Sequence, residues 1–284
     1  MGSKQRPDRE TLLKLAEAFT NQSEKNYIQA ETNSDKAYLG MKIFEKPILA
    51  VADANDPLFQ ELLLPQAIGP HFLPPEKWLP GAKSVLSFFL PVTERVKRSN
   101  TADRELPSLE WLYARIEGQQ FINALSAYLR DKIREAGYRA VSPSLDERFQ
   151  FNIAAPDAPI PPYSSNWSER HVAYVCGLGT FGLHTCLITE LGTAGRFFSI
   201  VTDLELEPTG RKYSALHEYC IKCGVCLKNC PAGALSFGGK SNLACSAFMR
   251  GTSLFYKPRY GCGKCQTGLP CESRIPAQDR AGTA

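Results

Sequence analysis

The chain has 284 residues, 43% of them hydrophobic and 22% charged, which is enough to bury one large core or two modest ones. Lys and Arg outnumber Asp and Glu by 33 to 29, and the resulting net charge of +4 is too small for the concentrated basic face that nucleic acid favours. The longest apolar stretch, SVLSFFLPV at 84–92, falls far short of a membrane span, and the polar opening MGSKQRPDRE lacks the form of a secretory leader, so a cytoplasmic protein is expected.

Residues 8–30 carry Leu12, Leu15, Ala16 and Phe19 near helical spacing and predict a helix. PILAVAD (47–53) predicts a strand, and Asp56 followed by Pro57 opens a short helix in DPLFQELL. The Pro- and Gly-rich stretch 65–82 predicts loop, and 84–92 a buried strand. The longest predicted helix covers 108–136, with Leu109, Leu112, Ile116, Leu125, Leu129 and Ile133 on one face; Gly137 suits its end, and Gly118 threatens a kink or a split. YRAVSP reads as the next strand. Ser168 can cap a helix over ERHVAYV, after which Gly177, Gly179 and Gly182 permit a tight turn. The segment 186–206 reads as a hairpin turning at Gly192–Gly195. Strands and helices alternate to about residue 206, and beyond EPTG (207–210) the composition shifts to Cys, Gly, Lys and Pro. The expected division is an α/β domain at 1–210 and a cysteine-rich domain at 211–284.

Eight of the ten cysteines lie after position 219, a clustering that points to metal rather than to disulfides. CIKCGVCLKNCP, from Cys220 to Pro231, has the spacing C-x2-C-x2-C-x3-C-P of an iron–sulfur run. In such a run the first three thiolates bind one 4Fe–4S cluster and the fourth, just before Pro, serves a second. Cys220, Cys223 and Cys226 are therefore expected on cluster one and Cys230 on cluster two. The later cysteines complete the count: Cys245, Cys262 and Cys265 join Cys230, and Cys271 returns to cluster one. A pair of structural zinc sites is the competing reading, since C-x2-C pairs serve both; the overlapping steps and the final C-P favour iron–sulfur. Cys176 and Cys186 are expected as small buried core residues. His71, His171 and His217 show no metal-ligand spacing, whereas His184 follows the glycine turn closely enough to touch a ligand.

The G-x-G-x-x-G of that turn follows a helix rather than a strand and is not a dinucleotide fingerprint. Together with LPGAKSVLSFFLP, SERHVAYVCGLGTFGLHTCLITE, GRFFSIVTDLEL and CIKCGVCLKNCPAGAL, in that order, it makes the chain resemble epoxyqueuosine reductases and the related reductive dehalogenases over about residues 45–275. The resemblance implies a nitroreductase-like α/β domain that binds cobalamin, followed by a ferredoxin-like domain with two 4Fe–4S clusters. It places Glu169, Arg170, Gly177, Leu178, Gly179, Gly182 and His184 at the cobalamin. Epoxyqueuosine reductases carry a proton-donating Asp seven residues before the Arg; here that position holds Tyr163. Reductive dehalogenases use a Tyr for this step, so Tyr163 is the expected donor, with Asp157 as the alternative acid. Epoxyqueuosine reductases usually carry a helical-repeat extension that helps hold tRNA; a short form is expected here, and with the modest charge tRNA is a disfavoured partner. The expectation is a cytoplasmic, cobalamin-dependent reductase of a small molecule, fed by an external low-potential electron donor. An electron-transfer or corrinoid-reactivating module without substrate chemistry, and a flavin- or nicotinamide-using reductase, are the alternatives.

Overall fold

The computed structural model describes residues 6–30, 36–153, 155 and 157–277. The chain folds into two compact units. Unit one takes the segments up to Leu90, Ile116–Leu178 and Arg196–Lys212; unit two takes Pro91–Arg115, Gly179–Gly195 and the chain from Tyr213 onward.

Unit one is built on a four-stranded sheet in the order Ile48–Asp53, Ser84–Pro91, Gly195–Thr202, Ala140–Val141. The first two strands are antiparallel, with Ile48 opposite Phe89 and Asp53 opposite Ser84, and Ala140 lies antiparallel to Thr202. Ser84–Leu90 is buried at every position, which is why it reads as an unbroken apolar run rather than an alternating one. Phe88 stacks on Phe198 with ring centroids 4.6 Å apart, and Trp167 packs against Phe59, Phe72 and Trp78. Aromatic burial of this kind is the main source of stability in a unit this size.

Two helices differ from expectation for local reasons. The first spans Arg9–Gln22, opened by the Asp8 carboxylate accepting the Thr11 N–H, and it stops well before residue 30. Beyond it the buried Asn26 amide donates to the Thr20 and Phe44 carbonyls, fixing a single 3-10 turn at Glu24–Asn26 that ends the α-helix. The long helix Leu109–Glu135 runs through Gly118 unbroken. A Cβ there would stand 2.9 Å from the Phe44 ring, so this glycine admits an aromatic ring and does not break the helix. Gly137, at φ +96°, ends it as expected. The 65–82 loop contains one short helix, Pro75–Trp78.

The hairpin expected over 186–206 does not form. Leu187–Thr189 instead pairs with Gly179–Phe181, while Gly195–Thr202 enters the four-stranded sheet. The chain between them bonds to the cysteine-rich tail: Thr193 N–H donates to the Cys271 carbonyl at 2.9 Å and Ala194 N–H to the Glu272 carbonyl at 3.1 Å.

Unit two holds the helix Glu94–Ala102 and the strand pair Gly179–Phe181 with Leu187–Thr189, and from Tyr213 onward the helices Val225–Lys228, Asn242–Gly251 and Ser253–Tyr256 and a two-residue ladder of Leu235–Ser236 with Gly239–Lys240. Its core is Ile188, Cys226, Leu235, Leu269 and Cys271. The expected boundary at 210 lies near the end of the last unit-one segment at Lys212, but unit two also draws in 91–115 and 179–195. Those segments supply its polar partners. The buried Lys264 ammonium donates to the Asn100 and Asp103 carbonyls at 2.6 and 2.7 Å, and Gln266 Nε2 donates to the Thr193 carbonyl at 2.8 Å. Among the described residues no helix is long and apolar enough to cross a membrane.

Candidate functional site

The cysteine run folds as a coil of left-handed residues around its own sulfurs. Lys222 and Gly224 take φ of 52° and 73°, which turns the chain tightly enough for Cys220, Cys223 and Cys226 to face one space. The helix Val225–Lys228 follows, capped by Asn229, and Cys230 comes directly after it. Cys220, Cys223, Cys226 and Cys271 line one cavity of about 310 Å³, together with Leu183, His184, Ile188 and Leu269. Burial, then the neighbouring thiols, pushes the Cys226 thiol up to about 11 and the Cys271 thiol to about 12. Such thiols reach the thiolate state when a cation binds and drives the protons off. This is the four-cysteine set expected for cluster one.

The second set gathers elsewhere in unit two. Cys245, Cys230 and Lys264 all act electrostatically on Cys262, whose thiol burial raises to about 11. The Ala234 N–H donates to Cys230 Sγ at 3.3 Å. Cys265 is partly buried and shares a hydrogen bond with Cys186, which with burial raises its thiol. Cys186 is thus placed against an expected cluster ligand and is not the plain core residue its sequence context implied. Cys176 is such a residue, donating to the Val85 carbonyl at 3.4 Å with its side chain buried. Sequence reasoning had no means to separate the two, because only the pairing of 179–181 with 187–189 brings Cys186 to Cys265.

The cavity also bears on the zinc reading. A zinc site needs its sulfurs about 3.8 Å apart around one ion. Among the described residues no group of three His, Cys, Asp or Glu side chains is placed to hold a single metal ion. Four cysteines from two stretches of the chain that line one common space are the ligand count a 4Fe–4S cluster needs.

The glycine turn divides between the units after Leu178. Gly177, at φ +99°, caps the helix Glu169–Cys176, and a Cβ there would stand 2.4 Å from the Gly210 carbonyl oxygen. At Gly179 a Cβ would meet the Ile188 carbonyl oxygen at 1.9 Å, and at Gly182 the His184 ring at 2.6 Å. All three glycines are explained by contacts within the protein. Leu178 is buried, and His184, only 1% exposed, turns to the four-cysteine cavity.

In unit one, Glu169 and Tyr163 stand out. Both Glu169 carboxylate oxygens are buried without a hydrogen-bond partner among the described residues, and burial raises the carboxyl to about 7, with Ser199 and Trp167 close enough to offset part of that rise. Tyr163 is held at φ +62°, a costly conformation for a bulky residue, and its hydroxyl is buried with no partner among the described residues. Next to it Ser164 hydrogen-bonds His71 at 2.6 Å. Ser168 does not cap its helix through its side chain; its hydroxyl bonds His171 Nδ1 at 2.7 Å instead. Burial, reinforced by Arg170, lowers His171 to about 4, keeping the imidazole neutral. Arg170 and Asp157 are exposed.

Residues 216–236 match the family described as "4Fe-4S binding domain". An epoxyqueuosine reductase of Bacillus cereus is 25% identical over 215 residues, covering 69% of this chain and 50% of that protein. The chain resembles the epoxyqueuosine reductases. It spans about half the length of the curated relatives it matches. Among solved structures, an epoxyqueuosine reductase with an epoxyqueuosine-modified tRNA stem loop aligns at 18% identity and TM-score 0.48, over 92% of this chain and 66% of that one. A catabolic reductive dehalogenase in complex with 3-bromo-4-hydroxybenzoic acid aligns at 15% identity and TM-score 0.49, over 95% of this chain and 37% of that one.

The two implied groups meet different receptions from these residues. The cluster fits: its thiols, cavity and family match coincide at Cys220, Cys223 and Cys226. For a corrinoid the glycines offer no cradle, since the protein already occupies the space a Cβ would need. The residues that would hold its polar rim are Glu169 and Tyr163, whose buried oxygens have no partner among the described residues.

Proposed function

We propose that the chain is an iron–sulfur oxidoreductase of the epoxyqueuosine reductase and reductive dehalogenase type, with two 4Fe–4S clusters and a corrinoid. The cavity lined by Cys220, Cys223, Cys226 and Cys271 is the observation that carries this reading. Cys230, Cys245, Cys262 and Cys265 form the second ligand set. The clusters supply one-electron transfer from an external low-potential donor, and a corrinoid supplies a strongly reducing, nucleophilic cobalt.

The protein's part is positioning and proton supply. Glu169, with its carboxyl raised to about 7, keeps a substantial protonated fraction at neutral pH, and in that form donates a hydrogen bond to a polar group of the bound cofactor or substrate. Tyr163 places a buried hydroxyl with no partner among the described residues, an arrangement that leaves it available to a substrate as a proton donor. Asp157 lies exposed and has no comparable setting, which favours Tyr163 as the donor. These orphaned polar groups also favour an enzyme over an electron-transfer module, which has no use for them.

The substrate follows one of two classes named by the similar proteins: a modified nucleoside carried in tRNA, which the modest net charge disfavoured, or a halogenated phenol. The test is anaerobic reconstitution with iron and sulfide, then cobalamin. The expected result is about eight irons per chain, falling by half in Cys223→Ser and in Cys262→Ser, with cobalamin retained on gel filtration. Turnover is then assayed separately with an epoxyqueuosine-modified stem loop and with 3-bromo-4-hydroxybenzoic acid. Stoichiometric zinc in place of iron overturns the whole reading; iron without retained cobalamin overturns the corrinoid.

A further inference from the structure

The turn between the paired segments Gly179–Phe181 and Leu187–Thr189 is unusually constrained. Thr185, a β-branched residue, sits at φ +60°, and the Gly182 N–H donates to the Cys186 carbonyl while Thr185 N–H donates to the Gly182 carbonyl. A left-handed threonine costs about 1 kcal/mol or more and persists only where the surroundings enforce it. The turn buries the His184 side chain, which is 1% exposed and lines the four-cysteine cavity beside Leu183.

Two hydrogen bonds orient this imidazole. The backbone N–H of Cys186 donates to Nδ1 at 3.0 Å, so Nδ1 is the unprotonated nitrogen and the ring proton of the neutral form sits on Nε2. Nε2 lies 3.6 Å from Cys271 Sγ. The ring occupies space that exists only because residue 182 is glycine: a Cβ there would lie 2.6 Å from both Cε1 and Nε2. A backbone donor, a glycine and a strained threonine thus converge on aiming one N–H at one sulfur.

We infer that His184 donates a hydrogen bond from Nε2 to the thiolate of Cys271 and thereby raises the reduction potential of the cluster held by Cys220, Cys223, Cys226 and Cys271. This rests on that cluster being bound as proposed above. A hydrogen bond withdraws electron density from a ligating sulfur, which stabilises the reduced, more negatively charged cluster over the oxidised one. His184 is a tuning residue: it acts through Cys271 and does not touch substrate. Cys186, two residues on and against Cys265, places a second thiol beside the other expected ligand set, so one short turn reaches toward both.

The experiment compares wild type, His184→Leu and His184→Gln as anaerobically reconstituted protein, measuring iron content first and then midpoint potential by EPR-monitored redox titration. In His184→Leu the cluster is expected to be about tenfold harder to reduce, about 59 mV lower for one electron. In His184→Gln, whose amide can still donate, most of that shift should be absent. Equal potentials in wild type and His184→Leu, with iron content intact in both, overturn the inference while leaving the cluster assignment standing. Absence of an iron–sulfur signal in wild type overturns the reading beneath it. Loss of the cluster in His184→Leu but not in His184→Gln also supports a donor role; loss in both assigns the ring to packing and overturns it. Selective 15N-histidine labelling gives a second readout, since a nitrogen coupling to the reduced cluster should be present in wild type and missing in His184→Gln.

Discussion

Replacing Glu169 with Gln keeps the shape of the side chain and removes its titration, which makes it the sharpest probe of unit one. Burial raises the carboxyl from an ordinary 4.5 to about 7. Below the unfolded value both states are protonated and the group contributes nothing pH-dependent. As pH rises above 4.5 the unfolded chain ionises this carboxyl while the folded protein does not, so stability falls until the folded group also ionises near 7, and is flat above. A shift of that size corresponds to about 3 kcal/mol in full, of which about 2 kcal/mol is lost between about pH 5.5 and about pH 8. Glutamine suffers no such loss. Any fixed cost of its unpaired amide is the same at both pH values and cancels from the difference.

The assay is urea unfolding of wild type and Glu169→Gln at those two pH values, followed by tryptophan fluorescence. Of the three tryptophans, Trp78 and Trp167 belong to unit one and pack against each other at 5.8 Å, so the signal reports on the unit that holds Glu169. The variant should gain about 2 kcal/mol on wild type between the lower and the higher pH. A difference between the two proteins that does not change with pH would show that the carboxylate is solvated, and would remove the argument for a protonated Glu169 as well.

Three further substitutions test unit two. Gly263 lies at φ +79° with a Cβ position 1.9 Å from the Trp111 ring, so Gly263→Ala should destabilise by at least about 2 kcal/mol in chemical denaturation, and an unchanged midpoint contradicts the packing described. Lys264→Met keeps the stem but strands the Asn100 and Asp103 carbonyls, which should cost about 2 kcal/mol and loosen the 91–115 segment to hydrogen exchange. Gly182→Ala should push the His184 ring off Cys271 and lower the cluster potential in the same direction as His184→Leu; a wild-type potential would show that the ring does not depend on that glycine.

Legibility in the sequence followed the range of the interactions involved. The cysteine spacing is local, so Cys220, Cys223 and Cys226 could be grouped by inspection, and their shared cavity follows from that spacing. The strand 84–91 was legible because both its faces are buried and the apolar run is continuous. The end of the first helix was not, because the Asn26 side chain that fixes the turn after it bonds to Phe44, 18 residues away. The mistaken hairpin has the same origin. Its two strands are apolar and separated by glycines, but the backbone between them bonds to Cys271 and Glu272, and no local pattern announces partners so far along the chain. Segments 91–115 and 179–195 were assigned with the α/β portion for the same reason: composition registers where the cysteines are and is blind to what packs on them.

The glycine motif shows how a correct position can carry a different cause. G-x-G-x-x-G was singled out because glycines let a backbone approach a ligand. Here each glycine makes room for the protein itself: for the Gly210 carbonyl, the Ile188 carbonyl and the His184 ring. The Gly177 contact ends the preceding helix, the Gly179 contact closes the short pair of strands 179–181 and 187–189, and the Gly182 contact is what lets their turn present an imidazole to Cys271. A motif read as a cofactor cradle is, physically, the device that builds a hairpin against the cysteine-rich core. The chemistry it serves directly is therefore that of the sulfurs, and the buried polar groups without partners among the described residues lie before it in the chain, at Tyr163 and Glu169.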